Sequence, residues 1–167
     1  MFSYLKMLEY PIRIKNPNPR LATIVATQYG GPNGELGASL RYLSQRYTMP
    51  DDVTRGLLTD IGTEELAHLE MVGTLVKQLN NGVAPEEWKK LGTWEYYSDN
   101  GASVYPQSSQ GSPFNAASIA VTGDAITNLF EDLAAEQKAR AIYDNILRLS
   151  DDPDVNDVIR FLRQREI

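Results

Sequence analysis

LLTDIGTEELAHLEMVGTLVKQL, residues 57–79, decides the fold. Leu58, Ile61, Glu65, His68, Val72, Leu75 and Leu79 follow one another at steps of 3, 4, 3, 4, 3 and 4. That spacing puts all seven on one stripe of an α-helix, the stripe a bundle helix turns toward its neighbours. Two of the seven are a carboxylate and an imidazole. An unpaired carboxylate on a buried stripe costs several kcal/mol, on the order of the desolvation penalty of a single ion. A bound cation removes that penalty, so the stripe predicts a helical bundle with a metal at its centre.

Working outward, Pro50, Asp51 and Asp52 open this helix, because acidic residues suit a helix N-terminus. It is predicted to run to about Asn80, where Asn81–Gly82 stops it. Before it, a helix from about 20 to 29 is interrupted at Gly30, Gly31, Pro32 and Gly34 and resumes from Glu35 to about Tyr47. Residues 1–19, punctuated by Pro11, Pro17 and Pro19, form an irregular N-terminal arm. Residues 82–122, rich in Gly, Ser, Pro and Tyr, lack sustained periodicity apart from a short helix at PEEWKKLG; they make a long crossover. A third long helix starts at Asp124 and ends near Ser150. A fourth starts near Asp154, after the turn at Asp151–Asp152–Pro153, and is still running at Ile167. Four helices, two short connections and one long crossover describe an all-α, ferritin-like four-helix bundle over residues 1–167, with a shortened fourth helix.

The other helices repeat the polar signal. In the third, Ile126, Leu129, Leu133, Glu136, Arg140, Tyr143 and Leu147 form the expected seam, with Glu136 in its middle. Glu136 reads either as a ligand or as the partner of Arg140 one turn on. Tyr143 reads as a plain core aromatic. In the first helix Glu35 and Tyr42 share a face beside the stripe Leu36, Leu40, Leu43 and Tyr47; Glu35 reads as a ligand or as a cap after the glycines. In the fourth, Val155, Ile159, Leu162 and Glu166 form a stripe that again ends in a carboxylate. Each helix thus offers one glutamate, and Glu65 with His68 forms a Glu-x-x-His pair whose side chains point the same way. Glu64 competes with Glu65 but lies off the seam and reads as solvated. In di-iron and di-manganese carboxylate bundles two helices carry such pairs and two carry a lone glutamate. Here the second pair would be completed at position 169, two residues past the last one.

The rest of the composition narrows the function. The net charge of −6 argues against nucleic acid as a partner, which needs a basic face. No apolar run reaches the roughly 18 residues of a membrane span, and the first residues show no secretory signal. With no cysteine, disulfides, thiolate metal sites and cysteine nucleophiles are excluded. His68 is the one histidine. A donor set dominated by carboxylates suits manganese or iron.

The stretches NPNPRLA, QYGGPNGELGASLRYLSQRYTMP, LLTDIGTEELAHLEM, ASVYPQ, EDLAAEQKARAIY and LSDDPDVNDVIRFLRQRE resemble the manganese catalases, most of all the branch found as spore-coat proteins. The resemblance covers nearly the whole chain. It implies a hexameric ferritin-like protein, in the cytoplasm or the spore coat, with two manganese ions that disproportionate hydrogen peroxide. It implies that Glu35, Glu65, His68 and Glu136 ligate metal, that Glu166 shuttles protons, and that Tyr42 hydrogen-bonds a ligand carboxylate; Arg140 is the candidate outer charge. Those catalases carry an arginine before the third-helix glutamate, where this chain has Ala135. Two alternatives stand beside catalase: a structural coat component with a degenerate metal site, and a di-iron ferroxidase. The short fourth helix predicts that part of the core lies open and is covered by oligomer contacts.

Overall fold

Capping side chains set the helix boundaries. Asn18 accepts from the backbone N–H of Leu21 at 3.0 Å and Pro19 takes the first helical position, so α1 runs over Pro19–Val25. A short α2, Thr27–Gly30, continues it, and α3 covers Glu35–Gln45. Asp51 accepts from Thr54 at 2.8 Å and starts α4, Asp52–Leu79. The crossover holds α5, Pro85–Lys90, at the predicted PEEWKK, and the single turn α6, Trp94–Tyr97. Asp124 accepts from Thr127 at 2.7 Å to open α7, Ala125–Leu149. Asp152 caps α8, Pro153–Arg165, where Pro153 again sits at the start. The computed structural model describes residues 3–167. Among the described residues there is no β-strand, only an isolated bridge between Gln107 and Pro113, and no helix is long and apolar enough to cross a membrane.

The bundle is two helical hairpins, α3 with α4 and α7 with α8, joined through the crossover. The first hairpin closes tightly. Ser39 Oγ donates to the carbonyl of Gly62 at 2.7 Å, and a Cβ on Gly62 would stand 2.8 Å from Leu43. The crossover returns over Gly30, where a Cβ would sit 2.2 Å from the Gln107 nitrogen, so only glycine fits there. The arm straps α4 and α8: Gln78 accepts from Ile14 N–H at 2.8 Å and donates to the Ile12 carbonyl at 3.1 Å, and Tyr10 stacks on Phe161 with centroids 4.6 Å apart.

One dry core fills the half of the bundle where α8 lies. It joins Leu21, Ala22 and Val25 of α1, Met71, Val72, Leu75, Val76 and Leu79 of α4, Tyr143 and Ile146 of α7, and Val155, Val158, Ile159 and Leu162 of α8. A second, small core holds Tyr42, Met49 and Leu58. Between them runs a layer of buried charge.

The α7 seam departs from expectation. Ile126 is 69% exposed, Leu133 67% and Phe130 71%, and on the facing part of α4 Val53 is 81% and Leu57 54% exposed. The buried face of α7 is instead Asn128, Asp132, Ala135, Ala139, Tyr143 and Ile146. Among the described residues α8, with 13 residues, about 20 Å at the helical rise, accompanies only the C-terminal part of the 25-residue α7, and it is there that the α7 face is buried. Arg140 is corrected with it: it lies on the outer face, donating to Asp144 at 2.8 Å and to Gln137 at 2.8 Å, and does not pair with Glu136.

Candidate metal centre

Four side chains from three elements converge in the charged layer. Glu35 is the first residue of α3, placed there by the turn through Gly31–Gly34. Glu65 and His68 come from one face of α4, and Glu166 follows directly on α8. All four are buried, and one ligand atom from each lies within 4.8 Å of the others. His68 Nδ1 is 3.4 Å from Glu65 Oε2 and 3.8 Å from Glu35 Oε2.

Two tyrosines orient the carboxylates. Tyr143 donates its hydroxyl to Glu35, and Tyr42 donates to Glu136. Glu136 is half-buried and stands outside the four-atom cluster, in the lining of a cleft that it shares with Glu65 and Glu166. The cleft holds about 480 Å³ and is lined in part by Tyr42, Ile61, Glu65, Asp132, Glu136 and Glu166. It opens between the exposed parts of α4 and α7, so a small solute reaches the carboxylates from there.

The protonation pattern shows how strained this layer is without cations. Burial, then the charges of Glu65 and Glu166, drive the Glu35 carboxyl well above its ordinary value, against the hydrogen bond from Tyr143. Burial, a hydrogen bond with Glu136 and the charges of Glu65 and Glu136 push Glu166 up to about 11. Burial also acts upward on Glu65, but hydrogen bonds with His68 and Glu35 and the nearby cations outweigh it and leave Glu65 below the usual range. Burial acts against a charged His68, yet Glu65, Glu9 and Glu64 hold its proton and raise it. Protons thus occupy the layer where cations would otherwise neutralise it.

The donor set fits a pair of hard cations. It is oxygen-rich with one imidazole, it is buried, and the Glu166 Oε1 and His68 Nε2 atoms have no hydrogen-bond partner. Glu35, Glu65, His68 and Glu166 are brought together; Glu136 and Tyr42 meet beside them; Arg140 is not part of the site.

Sequence reading missed several neighbours. Tyr143, taken as a plain core aromatic, is the partner of Glu35. Asp132 is buried in the cleft wall with neither oxygen hydrogen-bonded, raised to about 6 mainly by burial. Arg41 is buried against Glu131, its Nε 2.6 Å from Oε2. Glu64, read as solvated, lies 3.5 Å from His68 Nε2 and pairs with Arg165 at 2.6 Å. Position i−4 from His68 was the available signal for Glu64; the others left none.

Known proteins carry the same architecture. The family model for manganese containing catalase matches residues 1–167. Protein CotJC of Bacillus subtilis (strain 168) is 50% identical over 167 residues, covering 100% of this chain and 88% of that one. A probable manganese catalase of Clostridium acetobutylicum is 35% identical, over 99% of this chain and 75% of its own length. The crystal structure of KatB, a manganese catalase from Anabaena, superposes with a TM-score of 0.90 at 30% identity, over 99% of this chain and 74% of that one. With its whole length matched, the chain belongs to the manganese-containing catalase family.

Proposed function

We propose that this protein holds two manganese ions and disproportionates hydrogen peroxide to water and dioxygen. Family membership implies a two-metal site, and the convergence of Glu35, Glu65, His68 and Glu166 within 4.8 Å in a buried layer is the observation that supports placing it here. In this reading Glu35, Glu65, His68 and Glu136 would hold the two ions. Bound manganese would supply two-electron redox capacity and a Lewis-acid clamp for both peroxide oxygens.

The chain's own groups do the rest. Glu166, whose carboxyl is pushed up to about 11 in the metal-free protein and which lines the cleft, is the proposed proton carrier. Tyr42 and Tyr143 fix the carboxylates they donate to, so that little reorganisation is needed when charge develops. Leu58, Ile61 and Leu133 form the apolar part of the cleft that leads to Glu136 and Glu166. Assembly into hexamers and a place in the spore coat or cytoplasm are part of the same proposal.

One observation favours a second reading. Glu136, a carboxylate assigned to the ion pair, stands outside the four-atom cluster. A structural component retaining a weakened site would keep the fold and lose turnover. Elemental analysis of this chain, together with dioxygen release measured from added peroxide, separates the readings. Two manganese ions per chain with dioxygen release is the expected result. Less than one metal per chain and no dioxygen identifies the structural role; iron with rapid Fe(II) oxidation identifies a ferroxidase.

A further inference from the structure

His68 has two faces, and the proposed metal centre uses one of them. Nδ1 looks toward Glu65 and Glu35. Nε2, in a side chain that is 1% exposed, looks the other way, 3.5 Å from Glu64 Oε1 and 3.7 Å from Glu9 Oε2, with no hydrogen-bond partner. Three separate elements build this back face. Glu64 comes from α4, one turn before His68. Its Oε1 accepts from Arg165 Nε at 2.6 Å, so the end of α8 clamps it. Glu9 comes from the N-terminal arm, which is held where it lies by Tyr4 donating to Glu70, by Tyr10 donating to Asp157 at 2.9 Å and by the Tyr10–Phe161 stack.

An imidazole that ligates a metal through one nitrogen is held by the other, which donates to a carboxylate and fixes both the tautomer and the ring angle. We propose that Glu64 and Glu9 are positioning residues for His68, accepting its Nε2–H while Arg165 holds Glu64 in place, so that Nδ1 is presented to the metal. The arm and the end of α8 then act on the centre through the imidazole without touching a metal. The inference rests on the reading of His68 as a ligand. A further cation, third after the proposed pair, bound among Glu9, Glu64 and Nε2 is the competing use of the same three groups.

The single histidine makes the test clean, since every imidazole signal belongs to His68. Mn²⁺ affinity is measured by chelator competition in the wild type, Glu64→Ala, Glu64→Gln, Glu9→Ala and the exposed control Asp60→Ala. Glu64→Ala is expected to bind on the order of 10- to 100-fold more weakly. Glu64→Gln, which keeps an accepting oxygen, recovers most of the loss; Glu9→Ala loses less, and Asp60→Ala nothing. Pulsed EPR of the Cu²⁺-loaded proteins reads the remote imidazole nitrogen, whose quadrupole coupling is expected to change in Glu64→Ala and not in Asp60→Ala. Unchanged affinity with an unchanged remote-nitrogen signal overturns the proposal. So does a third Mn²⁺ per chain that disappears in Glu9→Ala, because Nε2 would then be a ligand. Absence of any imidazole signal overturns the metal centre itself; a normal signal indifferent to Glu64 overturns only the positioning role.

Discussion

α4 lives in two environments along one length. From Met71 to Leu79 its inward residues are sealed by α1, α7 and α8. From Val53 to Leu57 the apolar side chains of the same helix meet solvent, and Leu57 lines the cleft together with Leu129 and Leu133 of α7. Both parts belong to one continuous α-helix. Among the described residues only the first is packed on by α8, and the charged layer of Glu35, Glu65, His68 and Glu166 marks the frontier. The dry half supplies the stability that the layer costs, and the open half gives the layer its access.

The contrast can be broken most completely at the frontier. Glu65→Ala removes the carboxylate between the proposed metals and is expected to abolish Mn²⁺ binding and dioxygen release, as read by elemental analysis and an oxygen electrode. The metal-free variant should still fold, because the dry half is untouched, but with lower stability, since buried His68 loses the carboxylate that holds its proton. Next in size is a paired truncation. Leu75→Ala in the dry half is expected to cost about 2–5 kcal/mol in denaturant unfolding, the usual range for a sealed leucine. Leu133→Ala in the open half should stay within about 0.5 kcal/mol, as for other exposed positions. Equal losses at the two sites would show that something covers the open half in solution.

How much of this the sequence disclosed follows from the same contrast. The stripe from Leu58 to Leu79 and its capping residues were legible because periodicity and capping are local. Glu35, Glu65, His68 and Glu166 were legible as charges on apolar stripes, which have few stable explanations. Ile126 and Leu133 were misplaced because a helix records which face is apolar, not whether a neighbour arrives to cover it. Tyr143 looked like ordinary core because its partner, Glu35, lies 108 residues away. Arg140 was drawn to Glu136 by spacing alone, whereas Asp144 offers the same spacing toward the outside, where Arg163 joins it at 2.5 Å.

Two smaller effects sharpen the picture. Glu166 has a folded-state pKa raised from 4.5 to about 11, and Asp132 from 3.8 to about 6. Above the ordinary carboxylate range the native state therefore binds more protons than the unfolded chain, so the metal-free protein should lose stability as pH rises from about 4 toward about 11. Metal ions replace those protons, and their affinity grows with pH. The melting temperatures of loaded and metal-free protein are thus expected to diverge as pH rises; parallel curves would place the cations elsewhere. Smallest is Phe130→Ser, on the exposed face. It should change unfolding free energy by less than about 0.5 kcal/mol while shifting sedimentation toward smaller species if that face joins subunits.

The division of the carboxylates between the hairpins has a consequence for how the chain reaches this structure. Glu35 and Glu65 sit on the first hairpin, Glu136 and Glu166 on the second, with the crossover between them. Each hairpin is made of local contacts and forms quickly, whereas bringing the two together is the long-range step. That step drives four acidic groups into one another. During refolding, divalent ions in the buffer would act as glue for this late collision, and a chelator would slow it before it ever touched catalysis.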